Sequence, residues 1–185
     1  ACRQAPFQLR IRLRNGRRGN RSRGNVHGST VIVRIAEDGR VSLITGESDI
    51  GQGADTVLAQ ICAQERGLPL DRVRVVNPDT DVAPYSLGAV SSRVTILAGN
   101  AAIMAARAAR RRLLELAAEK LEVAPVDLAI TDGVVHIVGV PERGLRFAEI
   151  VQSLKNGIEA SARYEPATVP ADPQTLFGNV SQGYS

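Results

Sequence analysis

An α/β (α+β) fold is expected: a mixed sheet with β-hairpins, a βαβ-like middle and one long alanine-rich helix. Three observations in this 185-residue chain lead there. Alternating apolar runs flank Asp38-Gly39 and Asp132-Gly133, and Asp-Gly supplies the positive φ that a hairpin turn needs. Residues 40–76 read strand, helix, strand. Residues 91–121 repeat apolar and small side chains at helical spacing over many turns.

Taken in order, regular structure begins at Ser29. Residues 30–36 and 40–45 form the first hairpin. Residues 54–63 place Val57, Leu58, Ile61 and Cys62 on one helical face, and Gly67 and Pro69 end that helix. Val73 and Val75 alternate in a strand over 71–76. Residues 77–90 carry two prolines, several Asn/Asp residues and a glycine, which exclude helix and strand alike, and a loop this long inside a domain is often functional. Ser91-Ser92 opens the long helix, which runs to about Leu121. Its middle (Ala98, Gly99, Ala101, Ala102, Ala105, Ala106) permits close packing. Arg110, Arg111 and Arg112 read as a solvated face with Glu115 and Glu119 as i,i+4 partners, in preference to a nucleic-acid patch. Residues 127–131 and 134–138 form the second hairpin. Leu145–Leu154 reads as a short helix with Phe147, Ile150, Val151 and Leu154 on one face. After Gly157 the chain reads as extended loop, and its ending at Tyr184-Ser185 reads as a cut.

Composition narrows the function. At 44% hydrophobic residues the chain can bury a core. No apolar stretch approaches the roughly 18 residues that span a bilayer, and no secretory segment opens the chain. The net charge of +4 is uneven: residues 1–30 hold eight arginines and no acid, so the remainder is mildly acidic. Residues 1–28 are therefore read as an Arg-rich leader and 29–185 as the folded unit. The leader can be a solvated arm, an RNA-binding arm, or text that is not native coding sequence. Cys2 and Cys62 make neither a disulfide framework nor a metal site, and a cytoplasmic compartment fits. Cys62 lies in an apolar run and reads as a small buried hydrophobe. His27 lies in the leader, and His136 alternates with Val135 and Ile137 as an exposed strand residue.

No self-contained catalytic constellation is visible, and no metal-ligand spacing is present. Two segments remain. Gly51-Gln52-Gly53 joins a strand to a helix: its glycines let a ligand approach the backbone, Gln52 offers an amide donor and acceptor, and the helix start offers N–H groups. Taken alone the signal is weak, since Gly-x-Gly before a helix is common and a tight strand-to-helix turn accounts for it more simply. Gly88-Ala89-Val90-Ser91-Ser92-Arg93 precedes the second helix, where Ser91 and Ser92 either cap it or bind phosphate. Together the two helix starts suit an extended phosphorylated cofactor.

The string Asp49-Ile50-Gly51-Gln52-Gly53-Ala54-Asp55-Thr56, then Gly67-Leu68-Pro69, Asp79-Thr80-Asp81, Pro84-Tyr85 and Gly88-Ala89-Val90-Ser91-Ser92-Arg93-Val94-Thr95 resembles the xanthine oxidase family, the molybdenum hydroxylases. The likeness is to the second lobe of the molybdopterin-binding large subunit, over roughly residues 29–185. It is nearest to bacterial members of the 4-hydroxybenzoyl-CoA reductase and carbon monoxide dehydrogenase type. The resemblance implies that Gly51, Gln52 and Gly53 contact the molybdopterin. It also implies that Val90, Ser91 and Ser92 hold its phosphate end. The cofactor would be the cytosine dinucleotide form. A small-molecule substrate would be oxidised there, with electrons leaving through iron–sulfur and FAD-bearing partner chains. The family's catalytic glutamate comes from a Gly-Glu motif outside this stretch, so neither Glu47 nor Glu65 fills that role. The contrasting expectation is a non-enzymatic nucleotide- or RNA-binding module that uses the basic leader.

Overall fold

The computed structural model describes residues 28–76, 79–90, 92–154, 156–166 and Gln174. The Arg-rich leader through His27, with Cys2, lies outside them, and so does Ser91.

The first hairpin forms as the alternation requires. Strands β1 (Ser29–Ile35) and β2 (Val41–Thr45) pair antiparallel, with Val31 opposite Thr45 and Ile35 opposite Val41. Val31, Val33, Ile35, Val41 and Leu43 all point to one face and are fully buried. Helix α1 (Ala54–Arg66) follows, and Gly67 ends it in the left-handed conformation. Strand β3 (Val73–Val76) then returns parallel to β2, completing the βαβ unit.

Helix α2 (Gly99–Leu121) lies across β1 and the last strand and against α1. Its inner face is alanine (Ala101, Ala102, Ala105, Ala106, Ala109), all fully buried. A β-carbon on Gly99 would already lie 3.2 Å from Ile61 Cδ1, so small side chains set how closely the two helices approach.

Four features depart from the sequence reading. The helix expected from Ser91 does not begin as an α-helix: Val94–Ala98 is a π-helical turn, and α-helix starts only at Gly99. The second hairpin, β4 (Leu128–Thr131) with β5 (Val134–Ile137), gains a third strand, β6 (Val140–Arg146), which is tolerant of Pro141 because it lies at the sheet edge. That strand absorbs Leu145 and shortens the next helix, α3, to Phe147–Val151. The start of the stretch read as loop after Gly157 is strand β7 (Ile158–Tyr164). It pairs antiparallel with β1 and gives the main sheet the order β3-β2-β1-β7. Its inward residues are Ile158, Ala160 and Ala162, and alanine makes a faint alternation.

Local details follow the same physics. His136 is half-buried, not exposed, because β5 is the central strand of its sheet; its ring reaches Thr131 Oγ1 at 3.2 Å. Cys62 is fully buried, and burial pushes its thiol up to about 11, which leaves it a hydrophobe. On the arginine face, Arg112 pairs with Glu115 at i,i+3, and Arg107 reaches Glu65 on α1 at 2.8 Å.

Arg66 is the anomaly of the core. Its side chain is fully buried at the end of α1, over the Phe147 ring at 5.6 Å and 3.4 Å from Ala106 O. Its Nε and one terminal nitrogen have no partner among the described residues. Burial brings its guanidinium down to about 10, and nearby Arg110 pushes the same way. A buried, half-satisfied charge opposes folding at every pH below that value. Arg66→Met is therefore expected to raise stability by about 1–3 kcal/mol, read as a higher denaturant midpoint with an unchanged m-value. A lowered midpoint would show that the charge is compensated. Separately, Glu122 ends α2 at φ 56°, a conformation natural to glycine. Glu122→Gly is expected to add about 0.5–1 kcal/mol in the same measurement.

Candidate functional site

Two loops leave the same region of the main sheet. The first, residues 46–53, joins β2 to α1. The second, residues 79–93, joins β3 to the π turn. Gly46 brings them into contact: a β-carbon there would lie 2.0 Å from Pro84 O, so only glycine allows this approach.

A buried ion pair lies between the loops. Arg93 Nη1 donates to both oxygens of Glu47 at 3.1 Å, and the two side chains are 7% and 1% exposed. Nη1 also reaches Ser86 Oγ and Gly88 O, each at 3.2 Å. Nη2 donates to Gly28 O at 3.1 Å and Ser29 Oγ at 3.0 Å. Ser29 Oγ in turn donates to Glu47 Oε1 at 2.6 Å. Charge and hydrogen bonds are thus matched on both partners, the condition under which a buried pair is tolerated. The sequence reading missed this cluster. One sign of it was available: the inward alternation of β2 runs Val41, Leu43, Thr45 and then Glu47, which put a carboxylate on the buried side.

The first loop is shaped by its own side chains. Gln52 Oε1 accepts from Ile50 N at 2.6 Å, and its Nε2 donates to Ser48 O at 3.0 Å. One amide hydrogen and one oxygen lone pair of Gln52 are left for a ligand by this count. Asp49 accepts from Gly51 N at 2.8 Å and from Asp55 N at 3.2 Å. Its carboxylate thus occupies part of the α1 N-terminus that the sequence reading had left for a phosphate. Gly51 and Gly53 hold φ of 100° and 75°, and a β-carbon on either would meet nothing within 4 Å. The backbone there is open to a flat ligand.

In the second loop, Gly88 has φ 93°, Val90 N donates to Gly88 O, and Arg93 N donates to Val90 O. Ser92 holds φ 52°, a strained value for a residue with a β-carbon. The π turn comes directly after, a feature that recurs at functional sites. Asn100 Nδ2 donates to Ile96 O at 2.7 Å and ties that turn together.

Between the loops opens a cleft of about 620 Å³, within the range of small-molecule sites. Ile50 and Gln52 line it from one side, and Ala89, Ser92, Arg93, Thr95 and Asn100 from the other. The structure thus brings Gln52 and Ser92 to one cavity, with Gly51 and Gly53 beside it. Val90 is exposed and is not part of the lining. Among the described residues no group of His, Cys, Asp or Glu could hold a metal ion, and no helix is long and apolar enough to cross a membrane. Glu47 is committed to Arg93 and Glu65 to Arg107.

A family model described as "Molybdopterin cofactor-binding domain" matches residues 12–185. This chain is a molybdopterin cofactor-binding domain of the molybdenum hydroxylase family. The match begins inside the segment set apart above as a leader. The gamma subunit of the 6-hydroxypseudooxynicotine dehydrogenase complex of Paenarthrobacter nicotinovorans is 41% identical over 111 residues, which are 60% of this chain and 14% of that one. The carbon monoxide dehydrogenase large chain of Afipia carboxidovorans is 35% identical over 142 residues, 72% of this chain and 18% of that one. The crystal structure of quinoline 2-oxidoreductase from Pseudomonas putida 86 superposes with a TM-score of 0.66 at 36% identity, over 76% of this chain and 19% of that one. The molybdopterin cofactor-binding domain described here thus spans less than a fifth of the length of these relatives.

The first loop can be probed by acid. The N–H groups of Gly51 and Asp55 hold the Asp49 carboxyl below its usual 3.8. A depressed carboxyl contributes stability that is complete above the unfolded value and is lost as pH falls through the folded one. The amide resonances of Gly51 and Asp55 are expected to titrate together with a midpoint below 3.8. A midpoint at or above that value would refute the Asp49 contacts.

Proposed function

We propose that this chain forms one wall of the cofactor site of a molybdenum-dependent oxidoreductase of the xanthine oxidase family. The observation that carries the reading is that Gln52 and Ser92, from motifs far apart in sequence, face one cleft in a molybdopterin-binding domain. Gly51 and Gly53 let the pterin lie against the backbone, and Gln52 gives it a hydrogen-bond donor and acceptor. Ser91 and Ser92 hold the phosphate end through hydroxyl and backbone N–H groups, with Val90 next to them in sequence, and the cofactor is the cytosine dinucleotide form. The Asp49 carboxylate at α1 turns anionic groups toward the Ser92 side of the cleft. When bound, the cofactor supplies the redox chemistry, and this chain supplies binding, orientation and a partly dry wall.

The donors and open glycine backbone fit such a group. Glu47 and Glu65 are each engaged in an ion pair, and neither serves as the catalytic base. The active unit therefore draws its acid–base group, and most of its substrate pocket, from other parts of the assembly: the rest of the molybdenum subunit, with iron–sulfur and flavin subunits to carry electrons away. The substrate is a small molecule. A cytoplasmic setting suits an assembly with a free buried thiol at Cys62.

The test is metal and pterin content. Protein purified from its source with its co-purifying chains is expected to carry close to one molybdenum and one pterin per copy of this chain. Gln52→Ala in the same complex is expected to lower both by about tenfold, the scale of losing hydrogen bonds that a buried ligand cannot replace. Wild-type complex free of pterin would overturn the reading.

A further inference from the structure

We infer that Arg93, held by Glu47, is the positioning residue of this cleft: it sets the geometry of the Gly88–Ser92 turn against the first loop. The inference rests on the cofactor-site reading above. Sequence likeness directs attention to the small residues of Gly88-Ala89-Val90-Ser91-Ser92. The structure shows what holds them.

One guanidinium reaches three separate chain segments. It binds Gly88 O and Ser86 Oγ in the second loop, both Glu47 oxygens in the first, and Gly28 O and Ser29 Oγ at the start of β1. Ser92 carries positive φ, so the backbone there is strained and keeps its shape only where its surroundings over-determine it, while Gly88 reaches its own positive φ without strain. Arg93 provides that constraint from below, through Gly88 O and through its own N–H to Val90 O. The approach of Gly46 to Pro84 O closes the same gap with backbone. The planar fork is required for this reach: a lysine ammonium is a point charge with three donors and cannot serve three segments in a plane. Arg93 also lines the cleft floor, so the constraint acts directly beneath the space a ligand would fill.

A purely structural role and a positioning role separate experimentally. Replacing the whole pair by apolar residues, Glu47→Leu with Arg93→Met, removes both charges at once, so no lone charge is left buried. The measurements are made on the complex from its source: thermal midpoint, hydrogen exchange across residues 79–90, and pterin content after extensive dialysis. The expected result is a midpoint close to wild type, exchange at Gly88 and Val90 faster by about tenfold, and pterin retention lower by about tenfold. Arg93→Lys provides the check should the double variant not fold: it keeps the charge, and it is expected to show the same loop exchange and the same pterin loss. Gln52→Ala is the control, expected to lose pterin with loop exchange unchanged. Wild-type exchange at Gly88 and Val90 in both Arg93 variants would overturn the inference. So would wild-type pterin retention in the face of faster exchange. If the wild-type complex carries no pterin, the cofactor reading fails by itself, while the exchange data still decide whether Arg93 sets the turn.

Discussion

The structure around the cleft depends on one buried contact, the Glu47–Arg93 ion pair. A carboxylate and a guanidinium that are nearly free of solvent can coexist only when their remaining lone pairs and protons are met. Here Ser29, Ser86, Gly88 O and Gly28 O meet them. Removing one partner of such a pair costs about 3–5 kcal/mol, a large share of a domain's net stability. The pair therefore makes the relative placement of two loops as costly to disturb as a core residue would be. Loops on a surface are ordinarily the least determined parts of a domain.

Arg66 shows the opposite arrangement a short distance along the same chain. It is as buried as Arg93, and among the described residues no carboxylate meets it; an aromatic ring and a carbonyl do. The two arginines illustrate why a buried charge is weak evidence of stability taken alone. Accounting for the protons of each guanidinium separates the one that organises its surroundings from the one that its surroundings merely contain.

Much of the fold was legible in the sequence where side chains were large. Val31, Val33 and Ile35 alternate, Asp38-Gly39 turns, and Leu58 with Cys62 marks the inner face of α1. With the alternation of Val73 and Val75, the βαβ unit follows from these. It was less legible where alanine does the packing: β7 buries Ile158, Ala160 and Ala162, and its apolar period is too shallow to distinguish from loop. Strand β6 was hidden by Pro141, which an edge position accommodates, and by Gly144, which weakens the strand pattern. At the site, the glycine and serine motifs were visible because their chemistry is local. The Glu47–Arg93 pair spans 46 positions, and nothing in the neighbourhood of either residue names the other. Only the strand alternation ending at Glu47 pointed inward.

The π turn at Val94–Ala98 has a consequence for how this segment can change over time. Each residue in an α-helix advances the side chain by about 100°, so the wider turn offsets everything before it from everything after it. Downstream, the alanine face of α2 is locked in phase against the sheet. Upstream, Ser92 and Arg93 must keep their bearing on the cleft. Loss of one residue between them would give a more regular helix and swing Arg93 off Glu47 by roughly a third of a circle. Individual side chains here can drift, but the number of residues from Arg93 to Gly99 behaves as a fixed quantity, and length is the property of this segment least free to evolve.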